Sequence, residues 1–240
     1  MKKSMWITSL LFSCCCFVLN AQGTFSLDPF DGVVVTGNIE LTITKGENES
    51  MEVERDFSKL RFDVLNGVLR LKRRKLYSIR EYEDDPIYIT LTYRDIRSLK
   101  ATAGANVRSR ETVEADLLSL RFGSGAHGKM DLKVTELSVS VNEGAQLKLR
   151  GQVDSQNTAV TTGAILDARD MESQRAHVRA STGGEAEVNV VEYIYANANT
   201  GGDIEYDGEP EKVRLKDSLG GDVSPRFGSR SSSKRPKTKL

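Results

Sequence analysis

The sequence predicts an all-β chain wound into a β-solenoid of about 19 residues per coil. Two observations predict it. Gly104-Ala105, Gly125-Ala126, Gly144-Ala145, Gly163-Ala164, Gly183-Gly184, Gly201-Gly202 and Gly220-Gly221 form one series, with steps of 21, 19, 19, 20, 18 and 19 residues. A fixed period of this size marks a stack in which each repeat buries its apolar face only against its neighbours. On both sides of each glycine, apolar or small residues recur at every second position, as in Leu137, Val139 and Val141 before Gly144 and Ala145, Leu147 and Leu149 after it. Period two is the strand pattern. A helix would need period 3.6 and would not carry glycine in mid-pattern.

Each coil therefore holds at least two short strands joined at a corner. Glycine stands at the corner because the chain there needs a positive φ, which glycine takes without steric cost. The Ala or Gly after it starts the next strand pointing inward, where a larger side chain would crowd the turn. A third side, for example residues 151–154, is less regular. Stacked at about 4.8 Å per coil, some eight or nine coils would make a rod on the order of 40 Å long.

Residues 1–21 read as a secretory signal peptide. Lys2 and Lys3 precede an apolar run from Met5 to Leu19, and Ala21 is a small residue at the cleavage point. The run is short for a membrane span, and no second one follows. Cys14, Cys15 and Cys16 are the only cysteines, so the mature chain has no disulfide framework and no thiolate metal site. Leu11-Phe12-Ser13-Cys14 loosely resembles a lipoprotein processing site, but Phe12 is bulky where a small residue is preferred, and the apolar run continues past the cysteines.

The solenoid is expected over 25–223. Val33, Val35, Ile39, Leu41, Ile43, Met51 and Val53 alternate, with turns at Thr36-Gly37-Asn38 and Lys45-Gly46-Glu47-Asn48. Leu60 to Leu71 is an imperfect early copy of the repeat. Lys72 to Pro86 interrupts it with a basic run, Arg73-Arg74-Lys75, and an acidic one containing Glu81, Glu83, Asp84 and Asp85. This is the expected protruding loop. It lacks calcium-loop ligand spacing and reads as a solvated, self-paired segment. Alternation resumes at Ile87 and runs through the repeats. Asp217 falls on an inward position, so the stack is expected to end near Val223. Residues 224–240 are a basic, Ser-rich tail expected to be disordered.

The chain carries 34 basic and 34 acidic residues. Two of the basic residues lie in the signal and six in the tail, which leaves 26 basic against 34 acidic in the folded part. That balance argues against nucleic acid as a partner of the domain. His127 and His177 are the only histidines. They fall on outward positions of different strands without ligand partners at motif spacing. No nucleophile elbow or phosphate loop is present, and no cofactor or metal is expected.

The outward positions two and four residues after the corner glycine carry the charge. Glu185, Asp203 and Asp222 occupy the first column, and Asp167, Glu187 and Glu205 the second. Earlier coils place Arg108, Lys129 and Lys148 in the second column, so this face runs from basic to acidic along the rod. A polarised face suits docking. Facing carboxylates are also what sugar-cleaving enzymes use, although stacked acids repel. Two residues before the glycines, Thr102, Asn142, Thr161, Ser181, Asn199 and Ser218 form a polar column able to hydrogen-bond along the rod. Aromatic platforms are few. Trp6 lies in the signal, and Tyr77, Tyr82, Tyr193 and Tyr195 are the plausible exposed rings.

Phe30-Asp31-Gly32-Val33-Val34-Val35-Thr36-Gly37-Asn38-Ile39-Glu40-Leu41 just after a signal peptide, the Gly-Ala repeats, Tyr206-Asp207-Gly208-Glu209-Pro210 and Ser218-Leu219-Gly220-Gly221 together resemble the auto-transporter adhesin, head GIN domain family. These are secreted proteins common in the Bacteroidetes. The resemblance covers nearly the whole mature chain and brings no catalytic residues with it. It implies a single-stranded, right-handed parallel β-helix outside the cytoplasm, in the periplasm, on the outer-membrane surface or beyond it, with adhesion or ligand binding as its role. The expected function is a non-catalytic exported binding protein for a glycan or a cell-surface protein. Its expected surface comprises Arg108, Lys129, Lys148, Asp167, Glu185, Glu187, Asp203 and Glu205. The alternatives are a polysaccharide-processing enzyme using the acidic ladder and a structural envelope module.

Overall fold

The computed structural model describes residues 23–54, 57–74 and 85–226. The signal segment, the centre of the 72–86 insertion with Tyr77 and Tyr82, and the tail from residue 227 lie outside the described residues. The chain is a β-solenoid of about seven turns roughly 19 residues apart. Among the described residues the one helical element is a 3-10 turn at Phe57–Lys59.

The regular region begins with β8 (Ser98–Thr102) and β9 (Asn106–Ser109), which flank the first Gly-Ala corner. It continues through β10 (Val113–Phe122), β11 (His127–Val141), β12 (Gln146–Thr161), β13 (Ile165–Ser181) and β14 (Glu185–Asn199). It ends with β15 (Asp203–Asp207), β16 (Lys212–Ser218) and β17 (Asp222–Pro225). Neighbouring coils pair in parallel, with Leu137 beside Leu118 and Val139 beside Leu120, so the sequence repeat and the stacking register coincide. Inward residues such as Leu120, Phe122, Leu149, Val160 and Ile194 are fully buried in one continuous core. Each strand alternates buried and exposed because its side chains point to opposite faces.

The corner is tighter than glycine alone requires. At Glu143-Gly144 both residues have positive φ, 53° and 71°, and the Ala145 N–H donates to the Asn142 carbonyl at 3.1 Å. Two successive left-handed residues closed by such a bond make a type I′ turn. The same pair of positive φ values recurs at every Gly-Ala and Gly-Gly corner, including β-branched Thr162 at 56°, Thr182 at 52° and Thr200 at 49°. Corners also bond along the rod, with the Gly144 N–H donating to the Thr162 carbonyl at 3.1 Å.

Toward the C-terminal end the interior side chains shrink to Ala176, Ala180, Ala186, Ala196 and Ala198, all buried. The residue after the corner glycine changes with them from Ala to Gly. A Cβ on Gly184 would lie 2.7 Å from the Val160 carbonyl carbon, and one on Gly221 would lie 2.6 Å from that of Ala198. Small interior residues let the walls approach until even a methyl group does not fit.

The N-terminal end departs from stacking in chain order. β2 (Gly32–Thr36) lies between β6 (Val68–Arg73) and β8, and β3 (Ile39–Lys45) lies between β7 (Ile87–Tyr93) and β9. The first coil in sequence is thus the second in space. β5 (Leu60–Leu65) forms an antiparallel hairpin with β6 through Asn66-Gly67. β4 (Ser50–Val53) pairs antiparallel with both β7 and β1 (Gly23–Ser26). These antiparallel pairs occupy strand edges that a simple stack would leave open. At the other end β17 runs to Pro225, and the Arg226 N–H donates to the Tyr206 carbonyl at 3.0 Å. The last strand thus ends two residues after Val223. β16 is exposed along its length, and Asp217 takes the register position of buried Ala198.

Candidate functional site

The outward columns after the corner exist as the repeat alignment predicts. Thr42, Arg108, Lys129, Lys148, Asp167, Glu187 and Glu205 follow one another in register along the rod. Beside them run Asn106, His127, Gln146, Ile165, Glu185, Asp203 and Asp222. All eight residues of the expected surface thus lie on one wall, basic at one end and acidic at the other.

Their charges are largely committed to partners. Arg108 donates to Glu40 on β3 at 2.9 Å. Lys148 donates to Asp167 at 2.7 Å and lies 3.5 Å from Asp170. Arg169 holds Asp167 at 2.9 Å and Glu187 at 2.8 Å. Arg226 lies 3.1 Å from Glu187 and 3.7 Å from Glu205. The column is therefore an alternating network, not a bare acid ladder. The Arg169 and Lys148 side chains hold the Asp167 carboxyl well below the usual carboxylate range, against the opposing effect of burial. The same pairing raises Lys148.

The two organising arginines escaped the sequence reading for identifiable reasons. Strand pairing slips between Lys148 and Arg150, so that Lys148 faces Asp167 while Arg150 faces Asp170. Arg169 is the extra residue of this bulge, which turns it toward the outer face. The 20-residue step from Gly163 to Gly183, one longer than the commonest step of 19, is its signal. Arg226 fell in the segment assigned to the tail. Only the ordering of β17 brings it 39 positions back to Glu187.

The side chains of Lys129 and His127 have no ion-pair or hydrogen-bond partner among the described residues. They sit in a shallow groove of about 520 Å³ shared with Arg108, Gln146 and Lys148. Another groove, about 700 Å³, lies elsewhere on the coil, and its lining includes Glu114, Asp116, Lys133 and Asp154. Those four side chains are exposed.

His127 and His177 stand on separate strands, as expected. His177 packs between two tyrosines, 5.7 Å from the Tyr193 ring and 5.6 Å from Tyr195. Among the described residues no group of three or more His, Cys, Asp or Glu is placed to hold a metal ion, and no helix is long and apolar enough to cross a membrane. The polar corner column is in register, but its side chains do not form a continuous ladder. Thr36 and Thr102 share a hydroxyl bond of 3.3 Å, whereas the Asn142 amide occupies the space a side chain at Gly123 would need.

These features define a repeat architecture, a parallel β-solenoid whose outer walls carry ordered columns of charge. The chain belongs to the family described as "Putative auto-transporter adhesin, head GIN domain", whose sequence model matches residues 29–210. Solved structures share the fold. One described as a putative adhesin, from Bacteroides fragilis, superposes with a TM-score of 0.77 at 15% identity, covering 85% of this chain and 96% of its own. Another so described, from Parabacteroides merdae, gives 0.67 at 16% identity, covering 86% and 96%. One from Parabacteroides distasonis described as a putative lipid binding protein gives 0.59 at 14% identity, covering 86% and 96%. No curated protein matches the sequence.

Proposed function

We propose that this protein is an exported, non-catalytic binding protein that presents the outer wall of its solenoid to a glycan or a cell-surface protein. The observation that carries the reading is the polarised wall from Arg108 to Glu205. It is held rigid by the Arg169 and Arg226 bridges, with the Lys129 cation left free at its basic end. Charges fixed on strands provide orientation and selectivity for a charged partner. Asp167, where the wall turns acidic, is poorly suited to act as a general acid. A general acid needs a carboxyl that holds its proton near neutral pH, and Asp167 is driven the other way. Membership of the adhesin-head family supports both the binding role and an exported location.

The test combines an array of glycans and envelope proteins with turnover assays on acidic polysaccharides. Capture that weakens on Lys129→Glu, with no turnover, is the expected result. Turnover that disappears in Asp203→Asn/Glu205→Gln would establish the enzymatic alternative instead. Absence of capture from every glycan and protein on the array would remove the binding reading.

A further inference from the structure

The wall on the other side of the corner has a different character. Four residues before each corner glycine, Lys100, Arg121, Ser140, Ala159, Arg179, Asn197 and Lys216 form one outward column in register. Parallel columns add Arg175, Lys212 and Arg214. Across the outward positions of this wall from β8 to β16 there are seven cations, and Glu136 is the one acid. The cations are exposed and mostly unpaired, unlike those after the corner. Among the described residues the exceptions are a 3.9 Å approach of Arg175 to Glu192 and Lys216 lying 5.7 Å from the Tyr195 ring centre.

Between the cations the wall carries hydroxyls and amides. Ser119, Ser138, Ser155 and Asn157 line a cavity of about 320 Å³ together with Leu117, Glu136 (the wall's one acid) and the cation Arg97. A second of similar size shares Asn157 and ends against His177, Arg179 and Tyr195. The two together make a groove of mixed polar and apolar lining that crosses successive coils along the rod and ends at His177 and Tyr195.

We propose that this groove binds an extended acidic polysaccharide, one bearing carboxylate or sulfate groups. The proposal rests on the reading of the chain as a binding protein, but places a ligand of defined chemistry on a different wall. Repeating anionic groups match cations spaced along the rod. Hydroxyls and amides both donate and accept, as sugar hydroxyls require. The tilted rings of His177, Tyr193 and Tyr195 offer aromatic contact to a sugar ring at one end. Single-stranded nucleic acid fits less well, because successive bases need successive stacking platforms, and here the rings are gathered at one place. A lipid surface fits less well, because interfacial binding buries a continuous apolar face, and here exposed cations and hydroxyls interrupt the apolar lining.

The experiment measures binding of the full chain to immobilised polygalacturonate and chondroitin sulfate, with dextran as the neutral control. A single-stranded oligonucleotide and phosphatidylglycerol vesicles serve as competitors. Binding to the acidic polymers, weakening with added salt, is expected. Arg121→Glu/Arg179→Glu should reduce it about tenfold or more, and Tyr195→Ala several-fold, whereas Lys133→Glu, an exposed cation on the third side of the coil, should leave it unchanged. Thermal unfolding of each variant shows that the fold is retained. Equal binding to dextran, preference for the oligonucleotide or the vesicles, or insensitivity to the charge reversals overturns the proposal. If the same protein still captures a partner from the glycan and protein array through Lys129, the general binding reading stands while this one falls.

Discussion

Gly201 and Gly202 are neighbours in one corner, yet the structure requires glycine at each for a different reason. Gly201 has φ of 72°, and a Cβ there would meet nothing within 4 Å. Gly201→Ala therefore costs only the left-handed backbone penalty of an L-residue, about 1 kcal/mol. Gly202 has no positive φ to accommodate. A Cβ there would collide with the Ala180 carbonyl of the preceding coil and lie 2.7 Å from the Ser181 nitrogen. Backbone inside a parallel ladder cannot give way without breaking pairing, so Gly202→Ala should cost about 3 kcal/mol or more, the upper range for overpacking. For a chain of this size that is a drop in Tm of about 3 °C for Gly201→Ala against roughly 10 °C for Gly202→Ala. Urea unfolding followed by circular dichroism measures both, and hydrogen exchange at β13 and β14 locates the loosened coils. Equal or smaller destabilisation by Gly202→Ala would refute the close-approach argument, since Ala145 and Ala164 occupy the same corner position with full burial.

Three further outcomes follow from the structure. Thr162→Asn should stabilise the protein by about 0.5–1 kcal/mol, because Thr162 is β-branched at a φ of 56° and Asn tolerates the left-handed region of a type I′ turn. A rise in urea midpoint checks it. Asp167→Asn should lower stability by about 1 kcal/mol at pH 7, discounted for the partial exposure of its ion pairs. The folded carboxyl is held below its ordinary value of 3.8, so this contribution is complete above that value and is lost as the pH falls through the lower folded-state value. The wild-type advantage in parallel unfolding titrations should be flat near neutrality and shrink only in strong acid. In the core, Gln156 donates to Ser173 at 2.8 Å and accepts from Thr158 at 3.3 Å. Ser173→Ala should cost about 1–3 kcal/mol by orphaning the buried amide, whereas replacing all three with Gln156→Leu, Thr158→Val and Ser173→Ala should be close to neutral.

The sequence by itself determined the solenoid, its coil length, the corner positions and the two charged columns after the corner. Alternation and repeat length are local properties, and stacking in register converts an offset from a glycine directly into a place on a wall. The cations of the wall before the corner were legible in the same way, at a constant offset of four residues in Lys100, Arg121, Arg179 and Lys216. The tertiary structure decided what no local pattern carries. The insertion of β2 and β3 between β6–β7 and β8–β9 depends on which edges remain open after the end is closed by antiparallel strands. The left-handed residue before each glycine follows from turn closure, and even threonine is held there. Whether the acidic column repels or is bridged depends on one bulge at Arg169 and on the final strand that returns Arg226 to Glu187. Charge pairing is set by distances between coils, and those exist only once the chain is wound.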